Sequence, residues 1–213
     1  MAGKKISGIV FADTIEARFA FSGKAVRVNK RAGDRVKKGE ILASLDRTLL
    51  QKELDRQLAD YEKTRAGFEI FAKKNPNPGD DLTIYAKKIE QAQLDVSVKE
   101  VEIAKLHLDQ ADLVCQVNGI IVDDGGNRGG LFVTPASNAF RITDMDSLRF
   151  RIEIESGDLA EFAKETEVKV KIGETDFAGK TRLPYFDGKK FVVDVILPAG
   201  SDLMPGLAGE VIL

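Results

Sequence analysis

The chain has 213 residues, 43% of them hydrophobic and 31% charged, with 32 Lys+Arg against 34 Asp+Glu and a formal net charge of -2. It can hold one large domain or two to three small ones, and it offers no basic field for a nucleic acid. One cysteine, Cys115, and one histidine, His107, exclude an internal disulfide and a multi-ligand soft metal site; no stretch nears the roughly 18 apolar residues that span a bilayer, and no signal-peptide core is present.

Residues 1–8 read as a polar, disordered start. Over residues 9–22, Ile9, Phe11, Ile15, Phe19 and Phe21 alternate loosely with polar residues, the pattern of a strand or strand pair. Residues 23–46 hold Val26 and Val28, a Gly33-Asp34 turn, Val36, a turn at Gly39, and then Ile41, Leu42 and Leu45. From residue 47 the period changes. Leu50, Leu54, Leu58, Tyr61, Phe68 and Phe71 recur at helical steps, and the run ends in Lys73-Lys74, where cations suit a helix C-terminus.

Asn75-Pro76-Asn77-Pro78-Gly79 breaks the helix, and Asp80 and Asp81 are natural caps for the next one. That second helix carries Leu82, Ile89, Val96 and Ile103 in a strict seven-residue repeat, with Tyr85, Ala92 and Leu106 between them and Lys99 as the defect. Residues 47–74 and 82–112 would each extend about 40 Å at 1.5 Å per residue. The pattern predicts an antiparallel coiled-coil hairpin over 47–112 with its tip at 75–81.

Residues 113–143 repeat the first β pattern. Gly130, Val133, Ala136 and Ile142 have the spacing of Gly33, Val36, Gly39 and Leu45. Neither half has enough strands to bury its own apolar face, so the halves must meet in space. Residues 144–213 are β-patterned. Leu148, Phe150, Ile152 and Ile154 alternate with charge, as do Val168, Val170 and Ile172, and strands follow over 177–183, 191–197 and 207–213. A short helix is expected over 157–164, capped by Asp158, with Leu159, Phe162 and Ala163 inward. With the 9–22 strand this makes about six strands, and a small barrel removes their edges and puts both termini at one end. The expected fold is therefore α+β, mostly β.

No catalytic constellation is present, and the chain reads as no enzyme and as needing no cofactor. Cys115 lies in an apolar stretch and reads as a small buried hydrophobe. Met145 and Met204 are isolated. Asp123-Asp124-Gly125-Gly126-Asn127 lacks the later Glu of a calcium loop and reads as a turn. The glycines from 125 to 130 are not followed by Gly-Lys-Ser/Thr, so they form no phosphate loop.

Residues 22–28 (SGKAVRV), 32–46 (AGDRVKKGEILASLD), 118–122 (NGIIV) and 203–211 (LMPGLAGEV), in that order around the hairpin, resemble the HlyD-like membrane fusion proteins, the periplasmic adaptors of efflux pumps and type I secretion. The resemblance covers nearly the whole chain from Gly8 onward. It implies a split lipoyl-like (barrel-sandwich hybrid) domain at 23–46 and 113–143, the hairpin inserted in it, and a six-stranded β-barrel at 144–213 completed by the N-terminal strand at 9–22.

The resemblance further implies a periplasmic protein attached to the inner membrane by a segment missing from this sequence. It would assemble as a homo-oligomeric ring, often hexameric, and link an inner-membrane transporter to an outer-membrane exit duct. Docking to the duct falls on the tip: Arg65, Phe71, Asn75, Pro76, Asn77, Pro78, Asp80 and Leu82. Three departures stand out. The Arg-Leu-Ser series of many family members is reduced to Arg65, with no Ser before Ser97; Ala136 replaces the usual glycine; and the sequence stops after the barrel, without the membrane-proximal domain of many pump adaptors. The Gly-Asp-x-Val-x-x-Gly phrase is shared with biotin and lipoate carriers, so a carrier domain of an acyl- or carboxyl-transfer enzyme is the alternative, and a coiled-coil scaffold a third reading. A carrier needs an exposed lysine on the turn between the halves, where this chain places its hairpin.

Overall fold

The computed structural model describes residues 4–77, 79–198 and 203–213. In chain order the strands are β1 (Lys5–Phe11), β2 (Thr14–Ala17), β3 (Gly23–Val28), β4 (Arg35–Val36) and β5 (Ile41–Leu45). Helices α1 (Thr48–Lys74) and α2 (Asp81–Asp109) come next. They are followed by β6 (Asp112–Val114), β7 (Gly119–Asp123), β8 (Phe132–Val133), β9 (Phe140–Asp144) and β10 (Arg149–Ile154). The chain ends with β11 (Glu167–Ile172), β12 (Thr175–Thr181), β13 (Tyr185–Phe186), β14 (Phe191–Ile196) and β15 (Ala208–Ile212).

Six strands close a barrel in the order β10-β1-β15-β11-β12-β14, with β14 pairing back onto β10 and the short β13 added outside. Alternation fills it: Phe150, Ile152 and Ile154 from β10, Val168, Val170 and Ile172 from β11, and Val193 and Val195 from β14 point inward with Phe162 and Val211. Part of the start expected to be disordered belongs to this wall, and residues 1–3 of it lie outside the described residues. Residues 5–8 belong to β1, because Ile6 and Val10 face the core and the strand pairs on both sides, with β10 and β15.

Gly8 pairs with Gly209 of β15. A Cβ on Gly209 would lie 2.5 Å from the Lys171 carbonyl oxygen, and one on Gly8 2.4 Å from that of Arg151, while the Phe150 ring occupies the space over both. The glycines let the wall close tightly around that ring.

The segment 9–22 is not one barrel element. β1 ends at Phe11, and β2 crosses to pair with β9 in a different sheet, carrying Ala17, Phe19 and the half-buried Phe21 into a second core. The expected helix at 157–164 is also absent. One 3-10 turn, Ser156–Asp158, is followed by turns; Phe162 is buried and Leu159 half-buried, but Ala163 is exposed. The Lys4 amine bonds Asp158 (2.7 Å) and Glu161 (3.0 Å), so the Asp158 carboxylate faces a cation across the chain in place of capping a first helical turn.

Two four-stranded sheets, β2-β9-β7-β4 and β6-β5-β3-β8, enclose the second core. The two half-copies interleave: β4 joins strands of the second half, and β8 and β6 join strands of the first. The repeat is mutual at the level of single bonds. Gly33 (φ 94) donates its N–H to Ile121 of the second half at 2.8 Å, and Gly130 (φ 91) donates to Ala25 of the first at 2.7 Å. The departure at Ala136 is absorbed two residues later, where Asn138 takes the left-handed conformation (φ 57).

α1 and α2 leave the sandwich from β5 and return at β6, which pair with each other (Ser44↔Asp112). Their lengths, 27 and 29 residues, are matched, as expected. The seam between them is not. The seven-residue repeat Leu82, Ile89, Val96 and Ile103 is exposed, at 82%, 59%, 57% and 53%. What faces α1 is a different stripe, in which Ser97, Ala104 and Leu108 are buried and Ala86, Leu94 and Val101 half-buried. α1 meets it with Leu50, Leu54, Tyr61, Phe68 and Phe71, all half-buried. The aromatic bulk sits on α1, and on α2 Ala86, Ser97 and Ala104 leave room for it between Leu94, Val101 and Leu108, without the repeat that periodicity alone selects.

Replacing Gly209 by Val should drive Lys171 or Phe150 out of place and destabilise the barrel by about 1–3 kcal/mol, the usual cost of overpacking. A lowered midpoint of urea unfolding, with helical circular dichroism retained in the folded baseline, checks this.

Candidate functional site

Local chemistry builds the tip. Asn75 closes α1: its backbone N–H and its Nδ2 both donate to the Phe71 carbonyl at 3.0 Å. Asp80 opens α2: its Oδ1 accepts from the Thr83 N–H at 2.8 Å and its Oδ2 from the Thr83 hydroxyl at 2.7 Å. Those bonds from Thr83 hold the Asp80 carboxyl below its ordinary range. Between the caps, Pro76 and Asn77 are exposed, and Pro78 lies outside the described residues.

Of the residues expected at the tip, Phe71 and Asn75 are half-buried, and Pro76, Asn77, Asp80 and Leu82 are exposed around the turn. Arg65 is not with them. Ten residues before Asn75, it stands about 15 Å lower on α1, exposed and paired with Glu69 at 3.0 Å. The surface gathered at the tip is thus a turn capped at both helix ends, with the exposed Asp80 carboxylate and Leu82 beside it. It offers amide and apolar contacts and no acid–base pair.

A second polar cluster lies where barrel meets sandwich, and nothing in the motif search indicated it. Asp194 is buried on the outside of β14. Arg151 grips it with Nε (2.7 Å) and Nη2 (3.1 Å), Tyr185 donates its hydroxyl at 3.0 Å, and Arg149 Nε stands 2.9 Å away without an aligned hydrogen bond. Arg149 also forks onto Asp13, in the link from β1 to β2, at 2.7 and 2.9 Å. Both guanidiniums stack on Phe11, at 4.8 and 3.9 Å from its ring centre. The signal in the sequence was the aspartate inside the apolar run Val192-Val193-Asp194-Val195, opposite the outward Arg149 and Arg151 of β10.

Arg149, Tyr185 and Asp194 wall one side of a cleft of about 1360 Å³ between barrel and sandwich, with Arg35, Glu40 and Asn118 on the other. Its charges are of both signs: Arg149 pairs with Asp194, Glu40 pairs with Lys30, and Arg35, Lys37 and Arg182 line it as well. Among the described residues no group of three or more His, Cys, Asp or Glu could hold a metal ion, and no helix is long and apolar enough to cross a membrane. Cys115 is buried and its thiol donates to the Val117 carbonyl. At the junction of the half-copies, where a carrier would display a lysine on a turn, the chain runs into α1.

The whole described arrangement recurs in solved structures. The membrane fusion protein Spr0693 from Streptococcus pneumoniae R6 superposes with a TM-score of 0.74 at 16% identity, over 98% of this chain and 97% of that one. A chimera of MacA carrying the α-hairpin domain of MexA from Pseudomonas aeruginosa gives 0.77 at 17%, over 98% and 80%. The periplasmic adaptor protein EmrA gives 0.51 at 14%, over 98% and 98%. This chain has the fold of the membrane fusion and periplasmic adaptor proteins. No family model and no curated protein matches its sequence.

In that adaptor fold the Asp13–Arg149 fork ties the interdomain link to the barrel. The Arg149 hydrogen bonds hold the Asp13 carboxyl below the ordinary aspartate value of 3.8. A depressed carboxyl stabilises the folded state above 3.8 and loses that contribution as pH falls through the lower folded value. Asp13 is largely exposed, so screening keeps the effect small. Asp13→Asn should lower the urea midpoint slightly at pH 7, and the gap to the unsubstituted protein should close as pH falls below the ordinary aspartate range. Unfolding curves over that range test it.

Proposed function

We propose that this chain is the periplasmic adaptor subunit of a tripartite efflux or type I secretion system, held at the inner membrane and linking a transporter there to an outer-membrane exit duct. Its work is binding and assembly, without catalysis or a cofactor. The observation that carries the reading is the hairpin. Two helices of 27 and 29 residues project from a split β-sandwich, and α1 buries none of its residues. An arm about 40 Å long that contributes so little to the fold needs another reason to exist, and reach is the simplest. The overall likeness to Spr0693, the MacA–MexA chimera and EmrA supports the same role.

In this reading the two-sheet sandwich is a lipoyl-like domain, the helices form its coiled-coil arm, and copies stand side by side in a ring, hexameric by family resemblance. The tip residues Phe71, Asn75, Pro76, Asn77, Pro78, Asp80 and Leu82 dock the duct. The barrel end couples to the transporter, and the Asp13–Arg149 fork ties the barrel to the link that leads into the sandwich.

Replacing residues 75–80 by a glycine linker of equal length should leave the circular dichroism and cooperative unfolding of the purified chain in place. The same change in the full-length gene should abolish rescue of a strain lacking it. Undiminished rescue would overturn docking by the tip.

A further inference from the structure

The cleft between barrel and sandwich carries cations that its carboxylates do not answer. The three acids of its described lining are engaged. Glu40 takes Lys30 at 2.9 Å and the Lys37 N–H at 3.2 Å, Asp146 takes the Asn118 amide at 2.7 Å, and Asp194 takes Arg149, Arg151 and Tyr185. Arg35, Lys37 and Arg182 also line the cleft, and among the described residues none of the three has a carboxylate within ion-pair distance. Lys180 at 2.5 Å holds Glu165, the acid facing this end of β12. Arg35 and Lys37 flank the buried Val36, so both leave by the face away from the sandwich core. Arg182 follows β12 on the barrel. The unpaired cations thus come from both bodies.

The same cleft shows apolar surface that the fold leaves in water. Leu183, Met204 and Ile196 are 56%, 45% and 40% exposed. Half-buried Ile120, Met145 and Leu148 continue the lining across the link into the sandwich. Exposed apolar residues scattered singly are ordinary, but these converge on one concavity beside unpaired cations. Mostly apolar walls with a few charged groups at the rim are the make-up of a small-molecule site.

We infer that this cleft binds an amphiphilic anion, a single-tailed molecule whose acidic head meets the unpaired cations and whose tail lies on Leu183, Ile196 and Met204. The sign follows from the pairing. A cationic head would find only Asp146 without a cation of its own, against three cations open to an anionic one. The cleft, at about 1360 Å³, exceeds the about 300–1,000 Å³ of ordinary ligand pockets, so head and tail have room together. An occupant would touch barrel, link and sandwich at once and stiffen the joint between them. The site is independent of the adaptor role.

The chain has three methionines, and two of them, Met145 and Met204, line the cleft. The test titrates the full chain, labelled with carbon-13 at its methionine methyls, with three probes of equal tail length below their micelle concentrations: laurate, lauroyl-lysophosphatidylglycerol and dodecyltrimethylammonium. Laurate stands for a free acid and the lysolipid for one derived from a membrane. The Met145 and Met204 signals, assigned with Met145→Leu and Met204→Leu, should move together and saturate at one ligand per chain with at least one of the two anions; the tighter of them names the source. The ammonium probe should bind about tenfold more weakly. Arg35→Glu and Arg182→Glu should each weaken the anion about tenfold, whereas Lys87→Glu, the same charge change near the tip end of α2, should leave its affinity in place. Circular dichroism checks that each variant is folded.

Equal binding of the ammonium probe, saturation that moves neither methionine signal, affinity untouched by both glutamate variants in the cleft, or no binding of either anion would each overturn the inference. The purified chain needs no transporter or duct, so failure here is separate from failure of the tip variant to rescue.

Discussion

Everything that projects from this molecule is set by one short piece of β-pairing. β5 and β6 are neighbours in a sheet, with Ser44 opposite Asp112, and the whole hairpin is the connection between them. A connection between adjacent antiparallel strands must return to where it left, so α1 and α2 must match in length and run in opposite directions. The same pairing stitches the first half-copy to the second and thereby completes the sandwich. A slip of one residue there would turn the strand's buried side chains outward and shift one helix against the other.

The arm that results is anchored unevenly. The buried positions of α2, Ser97, Ala104 and Leu108, all lie in its half nearer the sandwich, and the half nearer the tip has none. Local opening therefore starts at the end meant to meet a partner and is resisted at the root. The double bond from Asn75 to Phe71 and the Asp80–Thr83 cap counter this at the turn itself.

The repeat, the hairpin ends and the alternating barrel strands were legible in the sequence because each has a local cause: glycines at positive φ, a Pro-rich breaker between caps, and period-2 alternation. Three features were not. β2 continues the apolar pattern of β1, and only pairing with β9 shows that the chain has changed sheets at Asp13. The apolar repeat of α2 reads as the inner seam because hydrophobicity marks a face that wants burial without saying against what, and the true seam alternates Leu94, Val101 and Leu108 with Ala86, Ser97 and Ala104, which weaken its signal in a periodicity search. The cluster around Asp194 depends on residues more than 180 positions apart along the chain, brought together by barrel closure. At the tip the composition was readable and the capping followed, while Arg65 was grouped with residues that the helix rise puts well above it.

The root pairing also makes the arm a gauge. Because the two helices begin level and cross no other element, adding one heptad to each would lengthen the arm by about 10 Å and return every stripe to its original side. Unequal additions would not; they would twist the outer faces away from each other. Reach can thus change in evolution only in paired, quantised steps, and relatives of this fold should differ in arm length by whole heptads more readily than by single residues.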